Sequence, residues 1–237
     1  MKSLEFQNPP AGLPTTQVDG TPLKPITQVL LERRATPHFK PEPLPEDYLE
    51  AILRLAAQAP SGYNLQPWRF IVVREPEGRA RLKKAAMGQD KIGEAPVVVI
   101  AFALQDGWRG DVEAILQEGV RRGSGTAEEL KQQQRAITEF LGTIPAAVWA
   151  NRQTMIALTT MMLVAEAYGV DTAPMEGFEP EAVKREFGLP KEAEVVALLA
   201  LGFAHPPDKP YGGRLALKEI VHVERYGHPW VASDPAS

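Results

Sequence analysis

Ala59-Pro60-Ser61-Gly62-Tyr63-Asn64-Leu65-Gln66-Pro67-Trp68-Arg69-Phe70 links an amphipathic segment to a β-branched one through small and amide side chains. Ser61 and Gly62 permit close backbone approach, Asn64 and Gln66 carry both donors and acceptors, and Pro67 stiffens the exit without a donor of its own. Such a loop suits a planar, polar guest. It also suits an ordinary helix-to-strand connection, and taken alone it leaves both readings open.

Outward from the loop, Leu49, Ile52, Leu53 and Ala56 recur at three- and four-residue steps and predict a helix over residues 46–58. Arg69 to Val73 reads as a strand, closed by a turn at Glu75-Pro76-Glu77-Gly78 and followed by a short helix over 79–87. Pro96 to Ala103 is apolar at successive positions, as in a strand buried on both faces at the centre of a sheet. Another strand spans 194–202 and a helix spans 179–187. The segment from Asp111 to Leu141 is helical and charged, with breaks expected at Gly119 and at Gly123-Ser124-Gly125. Those glycines lack the third member and the preceding strand of a dinucleotide loop.

Asn151 to Tyr168 is apolar on nearly every side, and Gly169 follows as a helix cap. A helix without a polar face belongs at the centre of a core or inside an oligomer. A first helix is predicted over 26–35, after a proline-rich arm at 1–24 that is extended or disordered and, if ordered, packs on a neighbour. Residues 25–226 contain no linker that would divide them, so they form one α+β domain, with a tail at 227–237.

Composition narrows the chemistry. The 237 residues are 44% hydrophobic and 24% charged with a formal charge of −4, which gives no electrostatic reason for a nucleic-acid or anionic-membrane partner. Cysteine is absent, removing disulfides, thiolate nucleophiles and cysteine-ligated metals, and the four histidines show no metal-ligand spacing. No Ser-His-Asp order or paired carboxylate stands out. Redox chemistry would therefore need an organic cofactor or a metal held mostly by carboxylates. The first residues lack a signal peptide's apolar core and no run reaches membrane-span length, so the expected location is cytoplasmic.

Three further segments bear on function: Arg33-Arg34 upstream, Ala173-Pro174-Met175-Glu176-Gly177-Phe178 downstream, and Arg214 after Tyr211-Gly212-Gly213. Guanidinium pairs suit a bidentate grip on phosphate, but also serve as solvated helix-end charges. With the Pro60–Trp68 loop, these segments occur in an order that resembles the nitroreductase family of FMN-dependent oxidoreductases, from about Ile26 to about Val223.

The resemblance implies a three-layer sandwich whose central, mostly antiparallel sheet is flanked by helices, in an intertwined homodimer with FMN at the subunit interface. It implies cofactor contacts from Arg33, Arg34, Ala35, Pro60, Ser61, Gly62, Asn64, Pro174, Met175, Glu176, Gly177 and Arg214. Arg33 and Arg214 would converge on the phosphate, the loop would reach the flavin of the other subunit, and the backbone of Glu176 and Gly177 would donate to the flavin ring. Gln66 and Trp68 would anchor the loop. No catalytic side chain is required, since the flavin carries the chemistry.

The implied reaction is ping-pong: NADH or NADPH reduces the flavin, and a small electron-poor acceptor such as a nitroaromatic or quinone then takes its place. Residues 110–144 would cover the site and select the acceptor. The alternatives are an atypical branch of the scaffold, acting as dehydrogenase, dehalogenase or flavin-modifying enzyme, and a non-catalytic flavin-binding protein. The family's opening motif is Arg-Arg-Ser-x-Arg-x-Phe, whereas this chain has Arg33-Arg34-Ala35-Thr36-Pro37-His38-Phe39. Thr36 is a candidate replacement for the lost hydroxyl. Pro37 removes a cation beside the flavin, which implies a lowered reduction potential unless another residue or the backbone compensates; no residue stands out as its replacement, and His38 is merely near enough to name.

Overall fold

A computed structural model describes residues 4–104, 107–207 and 209–231. The first three residues of the expected arm and the last six of the expected tail lie outside this range. In chain order the elements are α1 (Ile26–Glu32), α2 (Glu46–Ala56), β1 (Trp68–Val73), α3 (Pro76–Ala85), α4 (Asp90–Glu94), β2 (Val97–Leu104), α5 (Gly107–Arg121), α6 (Ala127–Gly142), α7 (Ala146–Ala167), β3 (Asp171–Met175), α8 (Pro180–Phe187), β4 (Ala193–Gly202) and α9 (Leu217–Ile220).

The strands form one sheet in the order β1-β2-β4-β3, and every ladder is antiparallel. The apolar runs at β2 and β4 occupy its centre because both of their faces are covered. Val97, Val99, Ala101, Leu199 and Leu201 pack with α2 and α7, whereas Val98, Ile100, Leu198 and Ala200 pack with α3, α4 and α8. Alternation lapses once: Val196 and Ala197 both join the α2/α7 core where the register slips opposite Ala101 and Phe102. That is a β-bulge, which puts two successive residues on one face and bends the strand. The molecule is the expected α+β three-layer sandwich.

Four local readings change in the fold. α1 stops at Glu32 because Arg33 takes an extended ψ of 129°, and Ala35 then forms a parallel bridge to Thr172. The expected turn at Glu75–Gly78 is instead the start of α3, where Pro76 needs no hydrogen-bonded N–H. Gly119 continues α5; the break falls only at Gly123–Gly125, after which Thr126 and Glu129 form a reciprocal capping box for α6. The short α4 after α3 carries no apolar stripe long enough to announce it.

α7 crosses the α2 face of the sheet, burying Trp149, Thr154, Ala157, Leu158, Met161 and Ala165. Gly169 caps it at φ +74°, with the Val170 N–H returning to the Ala165 carbonyl. The side chain of Gln17 lies where a Cβ on Gly169 would sit, 2.8 Å away. The arm therefore packs on its own chain: Val18 N–H donates to the Tyr168 carbonyl, Lys24 N–H to the Ala167 carbonyl, and Tyr48 Oη to the Gln17 carbonyl.

Candidate functional site

The Pro60–Trp68 loop is held in a conformation its sequence resists. Tyr63, Asn64 and Gln66 all have positive φ, at 54°, 57° and 44°. Each such non-glycine residue costs of order 1–2 kcal/mol, and the cost is met by bonds to the surrounding structure. Ser61 Oγ accepts from Gln66 N–H at 3.0 Å, Gln153 Oε1 of α7 accepts from Gly62 N–H at 2.9 Å, and Arg69 Nη1 donates to the Gln66 carbonyl at 3.0 Å. Leu65 and Trp68 are buried plugs, with Trp68 packed on Ala59 and Ala157.

A Cβ on Gly62 would make only ordinary contacts, with Trp149 Nε1 at 3.5 Å and Gln153 Oε1 at 3.8 Å. Its N–H is bound to Gln153 and its carbonyl accepts from Leu65 N–H. It offers a guest space, and its polar groups serve the loop. Asn64 is exposed, and Pro60 sits at the surface beside it.

The second piece lies at the opposite edge of the sheet. β3 is an edge strand whose Pro174 lacks an N–H, so Pro174 occupies a position without ladder hydrogen bonds. Alternation then directs the Glu176 N–H to the open edge. Nearer the start of β3 that edge is covered by the Ala35–Thr36 segment, where Thr36 N–H donates to the Thr172 carbonyl at 3.0 Å. Thr36 is fully buried and its hydroxyl meets no partner among the described residues. It faces the interior, which overturns its role as a substitute phosphate donor. Met175 is buried in the α3/α8 core, and Gly177 adjoins Gln89, whose Nε2 donates to its carbonyl at 2.8 Å.

The arginines form the third piece. Arg34 stacks at 5.1 Å from the Tyr211 ring centre and Arg214 at 5.5 Å from the same ring. Arg34 Nη1 donates to the carbonyls of Leu31, Glu32 and Arg33, using the open end of α1 to fix its guanidinium. Arg33 turns to the Arg34 carbonyl instead. The sequence expectation joined Arg33 to Arg214; the structure brings Arg34 and Arg214 onto one ring. His38 does not act as an unpaired cation, because its Nδ1 lies 3.2 Å from both oxygens of Glu94.

Residues the sequence left unmarked do much of the holding: Gln89, Gln153, Tyr211 and Arg69, whose Nη2 reaches Asp111 of α5 at 3.2 Å. That ion pair and the edge-on contact of Tyr63 with Phe140 seat the α5–α6 hairpin over the loop. Between them is a cavity of about 160 Å³ lined by Tyr63, Asn64, Leu116, Thr126 and Glu129. Further along, burial and the charge of Lys209 pull the Lys91 ammonium of α4 below its ordinary value. No cluster of metal-ligating side chains occurs among the described residues.

Two guanidiniums on one ring, an open peptide edge and a loop of exposed amide suit a planar heteroaromatic guest carrying a phosphate. Fold and site thus define an α+β scaffold of the kind that holds such a group at a sheet edge. Residues 30–203 match the nitroreductase family, and the chain belongs to that family of oxidoreductases. It is 39% identical to an NADH dehydrogenase of Thermus thermophilus, over 81% of this chain and 92% of the relative. It is 29% identical to an oxygen-insensitive NAD(P)H nitroreductase of Salmonella typhimurium, over 76% of this chain and 88% of the relative. Among solved structures it resembles a nitroreductase-class protein from Exiguobacterium sibiricum in complex with FMN, with a TM-score of 0.77 at 27% identity, covering 85% and 98% of the two chains.

Proposed function

We propose that this chain is an FMN-dependent oxidoreductase that uses NADH or NADPH to reduce a small electron-poor acceptor, such as a nitroaromatic or a quinone. When bound, FMN supplies the hydride chemistry; the protein positions the reactants. Arg34 and Arg214 grip the phosphate, the Glu176 and Gly177 N–H groups face the ring, and Ser61 and Asn64 contribute polar contacts from the loop. Donor and acceptor use one exposed face in turn, which gives ping-pong kinetics. The α5–α6 hairpin, anchored over the loop by Arg69 and Asp111, bounds the space the acceptor enters.

The observation that carries the reading is the separation of the two half-sites. The loop enters β1 and the Glu176–Gly177 turn leaves β3, and these are opposite edges of the sheet. Across the sheet alone they stand three strand spacings apart, roughly 14 Å, and the loop packs on α7 whereas the turn packs on α3. A second copy of the chain brings one protomer's loop to the other's turn. Exposed apolar side chains at Ile26, Leu30 and Leu31 of α1, Ile156 of α7, and Leu215, Leu217 and Ile220 near the C-terminus support a homodimer interface.

The test is the visible spectrum of the purified protein, followed by anaerobic addition of NADH or NADPH. The expected result is a yellow protein that bleaches, with two flavins per dimer. A colourless protein that takes up no added FMN overturns the reading.

A further inference from the structure

Gln89 reaches across 88 residues of sequence to the turn after β3, donating from Nε2 to the Gly177 carbonyl at 2.8 Å. Two more bonds restrain the same turn: Phe178 N–H donates to the Glu176 carbonyl at 3.1 Å, and Glu179 N–H to the Ala85 carbonyl at 2.8 Å. In a trans peptide the C=O and N–H point in opposite directions. A Glu176 carbonyl turned onto Phe178 N–H therefore sends the Gly177 N–H outward. The next peptide is fixed by Gln89 through its carbonyl. The N–H groups of Glu176 and Gly177 donate to nothing among the described residues.

The backbone around Gln89 is bent to make this contact. Met87 and Gly88 both have positive φ, at 55° and 75°, and form the turn between α3 and α4 that presents Gln89 to Gly177. For Met87 that conformation is strained, and the residue is largely exposed, so burial of its own side chain does not explain it. Its sulfur lies 3.9 Å from the place a Gly177 Cβ would take.

We propose that Gln89 is a positioning residue: by holding the Gly177–Phe178 peptide it keeps the Phe178 N–H on the Glu176 carbonyl, which fixes the direction of the Gly177 N–H and thereby tunes the reduction potential of the bound flavin. The proposal rests on the reading that FMN lies against this turn. An amide held in place toward an electron-rich ring stabilises the reduced form, and one free to swing does so less because it must reorganise first. Since Pro37 supplies no cation at the family's position and His38 is paired with Glu94, the fixed amides carry a larger share of that stabilisation here.

The experiment compares FMN-loaded wild-type protein with Gln89→Leu and Gln89→Glu, each equilibrated anaerobically with a reference dye over a range of pH. Gln89→Leu removes the donor at nearly constant volume. It is expected to shift the oxidised-to-reduced ratio about tenfold toward oxidised, about 30 mV for a two-electron couple. In Gln89→Glu the carboxylate faces the Gly177 carbonyl, and the shift shrinks as the pH falls and protonation restores a donor. Loss of packing alone produces no such pH-dependent difference. If Gln89→Leu does not fold, Gln89→Glu decides the matter. Loaded variants with wild-type potentials at every pH overturn the role of Gln89 and leave the flavin reading intact; wild-type protein that binds no FMN overturns both.

Discussion

Lys24 Nζ lies 2.6 Å from Glu166 Oε1, joining the end of the N-terminal arm to a carboxylate buried in α7. Glu32 of α1 completes the group at 3.2 Å from the same ammonium. Burial pulls Lys24 down, but the hydrogen bonds and charges of Glu166 and Glu32 outweigh it and hold the ammonium above its ordinary value of 10.5. A folded-state value above the unfolded one contributes stability that is complete below the ordinary lysine value and is lost as pH rises through the folded one. Urea midpoints are therefore expected to hold level approaching pH 10 and to fall in stronger alkali, whereas Lys24→Met flattens that alkaline limb. At neutral pH Lys24→Met strands a buried charge and costs about 2–3 kcal/mol, discounted because Lys24 keeps a fifth of its side chain exposed. Adding Glu166→Gln restores most of the loss.

Arg34 and Arg214 share the Tyr211 ring, and on the proposed reading they are the pair that grips the phosphate. Each charge-assisted bond to phosphate is worth about 1.5–3 kcal/mol, so Arg34→Ala and Arg214→Ala are each expected to weaken FMN binding about 10- to 100-fold. Riboflavin, lacking the phosphate, is the control and should bind both variants as it binds wild type. Arg33→Ala should have the smaller effect on FMN. Fluorescence titration with the two flavins checks all three.

At Gly177 the protein itself leaves space for a side chain. A Cβ would meet Gln89 Nε2 at 3.5 Å and Met87 Sδ at 3.9 Å, both ordinary contacts. Gly177→Ala is expected to leave thermal stability within about 0.5 kcal/mol of wild type, as a substitution outside the packed core does. Flavin affinity should fall at least tenfold, because the methyl group occupies the approach to the open peptide edge. Unchanged affinity would place the ring elsewhere.

Gln153 secures the strained loop through the Gly62 N–H. Gln153→Leu leaves that donor without a partner, at a cost of about 1–3 kcal/mol. Because Tyr63, Asn64 and Gln66 need outside support to keep their positive φ, flavin affinity is expected to fall more steeply than melting temperature. Paired calorimetry and flavin titration separate the two quantities.

The α5–α6 hairpin bounds a cavity shared with Tyr63 and Asn64. Replacing residues 110–144 with the equivalent hairpin of a relative is expected to change the ranking of nitroaromatic and quinone acceptors in steady-state assays while FMN stays bound. Loss of FMN from the exchanged protein would show that the hairpin builds the cofactor site itself.

Much of the architecture was legible before folding. The continuous apolar runs at Val97–Ala103 and Val195–Leu201 marked the central strands, since a strand covered on both faces has no polar position to alternate. The apolar Asn151–Tyr168 stretch marked the helix that crosses the sheet. Less legible was the strain in the loop, because Tyr63 and Gln66 carry no signal of positive φ. The pairing of arginines was also hidden: Arg33 and Arg34 are neighbours in sequence, and only the bend at the end of α1 sends one to Tyr211 and the other to a backbone carbonyl.

The sequence by itself determined the two central strands and the principal helices, the absence of thiol chemistry, and the residue types available to hold a phosphate and a planar ring. Those properties follow from local periodicity and composition, which act over one or two turns of chain. Tertiary structure alone decided that Gln89 meets Gly177, that Gln153 meets Gly62, that Lys24 meets Glu166, and that Thr36 meets Thr172. Each is a single contact between residues dozens of positions apart. Such contacts leave no periodic trace, because their partners become neighbours only when the two faces of the sheet are packed.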